Sequence, residues 1–368
     1  MQKIVANSFA NSLAKKLASK LTDWLIALFV ASVLIWFTVT QPIFSFAQQD
    51  SAPEIDVKRL ERHVSLLTNK YAPRTLDSAQ LKKTAKYIAN EFIGLGRVEY
   101  QTIETLAGNY QNVLLNLGAD SKDIFVIGAH YDAENSSHET EGNASGVSAL
   151  IELARHLSKN AEKLPLRVVL VAYPLSSNQS NRIETTGSYI HAKSLKDSGK
   201  EVRLMVSLDS VGIYNSDKQS QKHPYNFMKL FYPEQGNYIN LTGRLTDFTE
   251  VRQLKRSFKR VSKLPLYSQS IPQNLLGSKS VDHQNYWKMG YPAVLMSDTA
   301  ELRTKGEPKT GRGRSLSKST AKLEPEKMID YEKIAMLVQG LYQVVMDSGE
   351  PANKPLIAEQ RKGLSAEL

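Results

Sequence analysis

The sequence contains no cysteine, so disulfide bonds and zinc sites built from thiolates are excluded. The same absence means that cysteine usage does not indicate a redox compartment. Histidine is scarce as well, with 7 in 368 residues and none after His283. Internal repeats and nucleic-acid-binding motifs are also missing. The net charge of +10 therefore predicts a basic solvated surface, or attraction to anionic lipid or acidic substrates, and we expect no nucleic-acid partner.

Charged residues are absent between Asp23 and Asp50, and residues 24–39 are almost wholly apolar. At about 1.5 Å per helical residue, this window is long enough to cross a bilayer. Four lysines precede it, namely Lys3, Lys15, Lys16 and Lys20. The excess of positive charge before the window predicts a cytoplasmic N-terminus and a C-terminal part on the outer or periplasmic side.

Two interpretations of this segment stay open. Residues 24–47 are either a signal anchor that remains in the membrane, after a basic cytoplasmic tail at residues 1–23, or a signal peptide. In the second case cleavage would follow Ala47, at a small-x-small pattern, and the mature protein would be secreted. The long segment before the apolar window favours the anchor.

The rest of the chain alternates short apolar runs with amphipathic stretches, which predicts an α/β sheet between helices. The 41% hydrophobic content is sufficient for a substantial core. Predicted strands cover residues 112–117, 124–127, 167–173, 204–208, 238–242 and 292–296. Predicted helices cover residues 57–67, 79–94, 143–158, 187–195, 243–258, 281–287 and 331–346.

One stretch, residues 123–158, carries the most specific pattern. His130 and Asp132 follow a buried strand directly, which is where open α/β sheets place ligands. Asn143, Ala144, Ser145 and Gly146 then open a helix with apolar residues at helical spacing. A histidine and a carboxylate at a strand end indicate a site rather than a core position.

The motif H-x-D after a strand, followed by N-A-S-G-V at a helix start, resembles the M28 family of zinc exopeptidases. The resemblance covers residues 71–346 and includes the turn at Tyr71-Ala72-Pro73-Arg74. It implies a mixed, mostly parallel central sheet flanked by helices, in a domain over residues 48–348 with a tail at residues 349–368. It also implies two zinc ions, held by histidines and carboxylates, with a glutamate as general base.

Three residues match the positions that this resemblance assigns to the metal site. His130 matches a ligand, and Asp132 matches the carboxylate that orients its imidazole. Asp209, which follows another buried strand, matches a further ligand. The pair Asp282 and His283 matches a D-H pair that lines the pocket.

The other positions of the site carry the wrong side chains. The bridging aspartate position is Gly142, the general-base position is Ser176 and the neighbouring ligand position is Ser177. Serine hydroxyls are neither strong bases near neutral pH nor usual zinc ligands. The expected terminal histidine is replaced by the basic stretch at residues 304–314, which with Arg303 predicts either a solvated loop or an anion-binding one. If a bridging ligand is retained, it would have to come from one of three nearby residues, His138, Glu139 and Glu141.

These losses predict that zinc is bound weakly or not at all, because tight sites use three or four protein ligands. We therefore expect a membrane-anchored pseudopeptidase that binds a peptide or protein. The alternative is an active zinc-dependent aminopeptidase, or a related amidase or cyclase, with a rearranged metal site. A purely structural subunit of an envelope complex is a third hypothesis.

Overall fold

The computed structural model describes residues 2–43, 52–76, 78–133, 142–176, 183–223, 225–271, 282–299, 302–303 and 329–349. Eight strands form one mixed sheet in the order β1-β2-β4-β3-β5-β8-β6-β7. Their bounds are β1 Arg97–Thr105, β2 Gly108–Leu117, β3 Asp123–His130, β4 Arg167–Tyr173, β5 Glu201–Leu208, β6 Ile239–Arg244, β7 Leu266–Ile271 and β8 Ala293–Ser297.

The four central strands, β4, β3, β5 and β8, are parallel to their neighbours within that group. Their carboxyl ends therefore lie along one edge of the sheet. Strands β1, β2 and the β6–β7 pair flank this group through antiparallel pairings. The predicted fold class, a mixed and mostly parallel sheet flanked by helices, is confirmed.

Two hydrophobic clusters sandwich the sheet. Helices α2, α3, α4, α6 and α8 pack on one face, and helices α5 and α7 pack on the other. Their bounds are α2 Val57–Ser65, α3 Ala79–Phe92, α4 Ala144–Ser158, α5 Gly187–Asp197, α6 Phe248–Val261, α7 Asp282–Lys288 and α8 Tyr331–Met346. Helix α4 is buried along almost its entire length, as its apolar spacing predicts.

The N-terminal helix α1 spans Gln2–Thr40 and is longer than the predicted apolar segment. The segment Lys15–Thr40 has the length and composition of a membrane span, and none of its most apolar window is buried against the protein. Large apolar side chains such as Trp24, Phe29 and Ile35 are exposed along it. An exposed apolar helix of this length is what a lipid environment would cover.

Two strands, β1 and β7, are not predicted from the sequence pattern. In β1 only Ile103 is buried, so the strand lacks the apolar alternation that signals a half-buried strand. In β7 the inward positions Ser268 and Ser270 are buried serines rather than apolar residues. Both strands lie at the edges of the sheet, where less apolar surface has to be covered.

The prediction that Arg303 belongs to a solvated or anion-binding loop is wrong, because this residue is buried. Its side chain is buried, and its guanidinium donates to Gln221 Oε1 at 3.0 Å, to the Tyr238 carbonyl at 2.6 Å and to the Ile213 carbonyl. The same group lies 5.3 Å from the ring centroid of Tyr214. Arg303 is therefore an internal brace, because a planar guanidinium can satisfy several carbonyls at once.

We expect Arg303→Met to lower the free energy of unfolding by about 2–4 kcal/mol, because it leaves buried carbonyls without donors. Arg203→Met is the matched control. Its side chain is 62% exposed and pairs with Asp123 only at 3.5 Å, so its loss should cost below about 1 kcal/mol. Urea unfolding of the full chain in detergent measures both values. Equal losses in the two variants would show that Arg303 does not brace this region.

Candidate functional site

His130 and Asp209 are brought together at the carboxyl edge of the central strands. His130 is the last residue of β3, and Asp209 follows β5, which pairs with β3 in parallel. The His130 Nε2 lies 3.4 Å from Asp209 Oδ1. The His130 Nδ1 donates to the carbonyl of Asp132 at 3.1 Å. The predicted residues His130, Asp132 and Asp209 thus lie together at the carboxyl ends of β3 and β5.

The charges of this pair stabilise each other. Burial disfavours the imidazolium of His130, but hydrogen bonds to Asp132 and Asp209 outweigh it and raise its pKa well above the ordinary value. Burial likewise opposes the Asp209 carboxylate, yet the contact with His130 lowers the pKa of Asp209. The pair is therefore an imidazolium and a carboxylate. Asp209 remains partly open to solvent, with its side chain 32% exposed.

Ser176, which the family resemblance assigns to the general-base position, is hydrogen-bonded to Asp132. Its backbone N–H and its hydroxyl donate to Asp132 Oδ2 at 2.9 and 2.7 Å. The other carboxylate oxygen of Asp132 lies 3.4 Å from His130 Nδ1. Leu175, just before the serine, takes a left-handed backbone with φ of 59°, which sets this tight turn. The hydroxyl thus serves the orienting carboxylate and is not poised to activate water.

Gly142, which the family resemblance assigns to the bridging position, has no room for a side chain. Its backbone is left-handed, with φ of +47°, and a Cβ placed there would lie 2.2 Å from the Cβ of Ala133 and 3.1 Å from its Cα. Contacts below about 3 Å between such atoms force the backbone to move. Glycine is required by both conformation and space. A bridging carboxylate cannot be accommodated at residue 142 with this backbone.

Arg74 braces the loop that crowds Gly142, a role that the sequence resemblance did not reveal. Its buried guanidinium donates to the Tyr131 carbonyl at 2.8 Å, and its own carbonyl accepts from the Ala133 N–H at 3.0 Å. The turn before α3 therefore fixes residues 131–133. Only the Ala72-Pro73-Arg74 pattern signalled this turn in the sequence.

Asn143 ties the ends of the two central strands to the start of α4. Its side-chain amide donates to the carbonyls of His130 and Leu208 at 3.0 and 2.9 Å, and its Oδ1 accepts from the Ser210 N–H at 2.9 Å. Asn143 adopts a left-handed backbone with φ of 56°, which asparagine tolerates well. The N-A-S-G motif thus positions the site through the backbone. That role does not depend on a metal.

Asp282 and His283 open α7 beneath the pair of His130 and Asp209. Burial raises the pKa of Asp282 to about 6, and the nearby Asp209 and Asp132 charges add to the shift. Burial lowers the pKa of His283 to about 3, so its ring is neutral. The ring meets Trp287 edge-on, with centroids 4.4 Å apart. Neither ring nitrogen of His283 has a hydrogen-bond partner among the described residues.

The remaining predicted residues lie outside the part of the chain that the structure describes. They are Ser177 and the rescue candidates His138, Glu139 and Glu141, together with Lys305, Lys309, Arg312 and Arg314 of the basic stretch. Their roles stay predictions.

The donors present provide only part of a zinc site. Tetrahedral zinc with bonds of about 2.0–2.2 Å separates two ligand atoms by about 3.4 Å, which is the spacing of His130 Nε2 and Asp209 Oδ1. However, the described residues contain no group of three or more histidine and carboxylate side chains that could hold one ion. The bridging position is closed as well, so these residues do not fit a pair of zinc ions.

Two glycine variants separate the effect of space from that of backbone conformation. Gly142→Ala and Gly199→Ala both place a side chain on a left-handed backbone, but nothing lies within 4 Å of the Cβ position at Gly199. We expect Gly199→Ala to cost about 1 kcal/mol of unfolding free energy. Gly142→Ala should cost a further 1–3 kcal/mol, approximately, for overlap with Ala133. Urea unfolding measures both, and equal costs would contradict the crowding at Gly142.

Comparison with known proteins agrees with the geometry. Residues 112–305 match peptidase family M28. The chain is 30% identical over 334 residues to YfbL of Escherichia coli K12, a protein described as uncharacterized, and the match covers 88% of this chain and 97% of that one.

Solved structures share the fold at low sequence identity. LapB from Legionella pneumophila is 18% identical with a TM-score of 0.56, and the match covers 81% of this chain and 73% of that one. The glutaminyl cyclase of Fimbriiglobus ruber is 15% identical with a TM-score of 0.52, over 83% of this chain and 99% of that one. The strand-end site, the N-A-S-G helix start and the family match together lead to one conclusion: this chain belongs to peptidase family M28.

Proposed function

We propose that the chain is a membrane-anchored pseudopeptidase, in which the former active site binds a peptide or protein without hydrolysing it. The observation that carries this proposal is the closed bridging position. Gly142 sits on a left-handed backbone against Ala133, so the carboxylate that would hold two ions together has no place in the fold. A two-ion mechanism needs that shared ligand to set the distance between the ions.

The chemistry of the remaining residues supports the same proposal. Hydrolysis of a peptide bond needs a base that removes a proton from the attacking water. Ser176 occupies the base position, and its hydroxyl is engaged with Asp132. A serine hydroxyl has no useful basicity at neutral pH.

The charge of the site favours a cationic ligand group. Asp132, Asp209 and Asp282 surround the single imidazolium of His130, and each of them acts on its charge or on that of a neighbour. Asp209 is the most open of the three, since Asp132 and Asp282 are buried. Its carboxylate could accept hydrogen bonds from the amino terminus of a peptide or from a basic side chain.

Anchoring through α1 is the second part of the proposal. The exposed apolar segment Lys15–Thr40 is long enough to span a bilayer, and the lysines before residue 24 support a cytoplasmic N-terminus. The M28 domain would then lie on the outer or periplasmic side.

One observation favours an active enzyme as a second candidate. The 3.4 Å between His130 Nε2 and Asp209 Oδ1 is the separation of two ligands on one zinc ion. A third ligand from His138, Glu139 or Glu141 would complete a single-ion site. Such a site would support an aminopeptidase or a cyclase.

Metal content and turnover distinguish the two candidates. We expect the full chain, purified in detergent without chelator, to hold well below one zinc ion per molecule, because two ligands bind zinc weakly. We also expect no chelator-sensitive hydrolysis of leucyl-4-nitroanilide and no cyclisation of a peptide with an N-terminal glutamine. Stoichiometric zinc together with chelator-sensitive turnover of either substrate would overturn the pseudopeptidase.

Cross-linking in native membranes tests ligand binding. Asp209→Asn removes the open carboxylate, so we expect loss of peptides or proteins that the wild-type chain cross-links. Asp197→Asn is the matched control, since it neutralises an exposed carboxylate on α5 that pairs only with Lys193 among the described residues. Retention of every cross-link in Asp209→Asn would show that the site does not bind the ligand.

A further inference from the structure

The end of α1 is docked on the domain by a buried lysine. The ammonium of Lys255, on α6, donates to the carbonyls of Thr40 and Gln41 at 2.7 Å each and to the hydroxyl of Ser268 at 2.8 Å. The Ser268 hydroxyl donates in turn to the Thr40 carbonyl at 2.7 Å. The side-chain amide of Gln41 donates to the hydroxyl of Ser270 at 2.8 Å. The last turn of α1 is thus joined to β7 and α6.

This junction depends on the charge of the lysine. Burial and the nearby cations Lys259 and Arg252 lower the pKa of Lys255 to about 7. The three acceptors nevertheless use all three protons of the ammonium form. Two of them are carbonyls at the C-terminal end of α1, where the helix dipole favours a cation. Helix end and lysine therefore stabilise each other, and α1 meets the domain at one defined place.

A row of cations lies beside this junction. Arg252, Arg256 and Lys259 fall within an arc of about 60° on α6, at about 100° per residue, and Lys263 lies just beyond the end of this helix at Val261. These four residues are called the basic face here. Lys259 and Lys263 are exposed, and none of the four has an ion-pair partner among the described residues.

The position of the basic face is fixed relative to the end of the apolar segment. The guanidinium of Arg252 lies 5.4 Å from the ring centroid of Phe37, one turn before the end of α1. If α1 crosses the bilayer, Phe37 and Thr40 lie where hydrocarbon gives way to headgroups. Side chains that touch this turn then lie at headgroup depth. Arginine and lysine at that depth place their charges among lipid phosphates.

We propose that the basic face of α6 is the membrane-contacting surface of the domain and binds the headgroups of anionic phospholipids. The proposal rests on the membrane anchoring proposed above. Charge complementarity selects the occupant, because four cations without an ion-pair partner among the described residues attract anionic lipid when they lie beside a bilayer. Glu250 does not oppose this, since it lies on the opposite side of α6 at helical spacing.

The absence of cysteine makes a direct measurement simple. A fluorophore on Thr249→Cys reports on the exposed position next to the basic face, and one on Asn90→Cys reports on an exposed position of α3. The full chain is placed in nanodiscs with a quencher on the headgroups. One set of discs contains phosphatidylcholine alone, and the other also contains phosphatidylglycerol.

We expect phosphatidylglycerol to raise the quenching at Thr249→Cys at least about twofold and to leave Asn90→Cys unchanged. The triple variant Arg256→Gln/Lys259→Gln/Lys263→Gln should abolish the increase, as should salt at about 0.5 M. The control variant Lys82→Gln/Lys83→Gln/Lys86→Gln removes three exposed charges from α3 and should retain it.

Three results would overturn the proposal. Equal quenching in the two kinds of disc would show that the contact of the basic face with the membrane does not depend on lipid charge. An equal loss in the α3 variant would show a nonspecific effect of net charge. An increase that occurs only in native vesicles would assign the face to a protein partner. If alkaline carbonate extracts the chain from membranes, the proposed anchoring through α1 is wrong. This test does not depend on the lipid composition of the discs, so its failure can be told apart from failure of the lipid-binding proposal.

Discussion

Three hydrogen bonds between the Asn143 side chain and backbone groups hold the candidate site together. One amide joins the last carbonyls of β3 and β5 and also accepts from the loop after β5. His130 and Asp209 belong to those two strand ends, so their separation follows from where the asparagine sets the backbone. The amide is buried, which makes its loss costly, since three backbone groups would need new partners.

This arrangement keeps the strand ends in place through contacts that are independent of the side chains at the expected metal positions. The N-A-S-G motif acts on the backbone, whereas the family resemblance assigns catalysis and metal binding to side chains at other positions, namely residues 142, 176 and 177. Those side chains can be replaced without loosening the strand ends. In this chain Ser176 donates two hydrogen bonds to Asp132 Oδ2, and Gly142 leaves space for the loop at Ala133. The proposed pseudopeptidase would be a consequence of that adaptation.

The sequence predicts the central part of the fold because β3, β4 and β5 are continuous apolar runs and α4 shows apolar residues at helical spacing. It does not predict β1 and β7, because edge strands bury few side chains and the serines of β7 face a polar junction. The position of His130 and Asp132 at a strand end indicates a site, and the resemblance to the M28 family adds Asp209. The crowding at Gly142, the brace from Arg74 and the burial of Arg303 could not be found in this way. The contacts of Arg74 and Arg303 join segments that are far apart in the chain, and the crowding at Gly142 depends on how the loop from Ala133 folds back.

The docking of α1 has a consequence for how the domain behaves without its leader. Strand β7 pairs with β6 on one side only, and its sequence, LYSQSI, has neither charge nor proline to discourage pairing with another chain. The end of α1 lies against this strand and occupies its serines and the buried amine of α6. A protein cleaved after residue 47 would keep the unpaired edge of β7 and would have beside it uncovered serines and a Lys255 amine without its carbonyl acceptors. Self-association through that edge would be the simplest way to cover both.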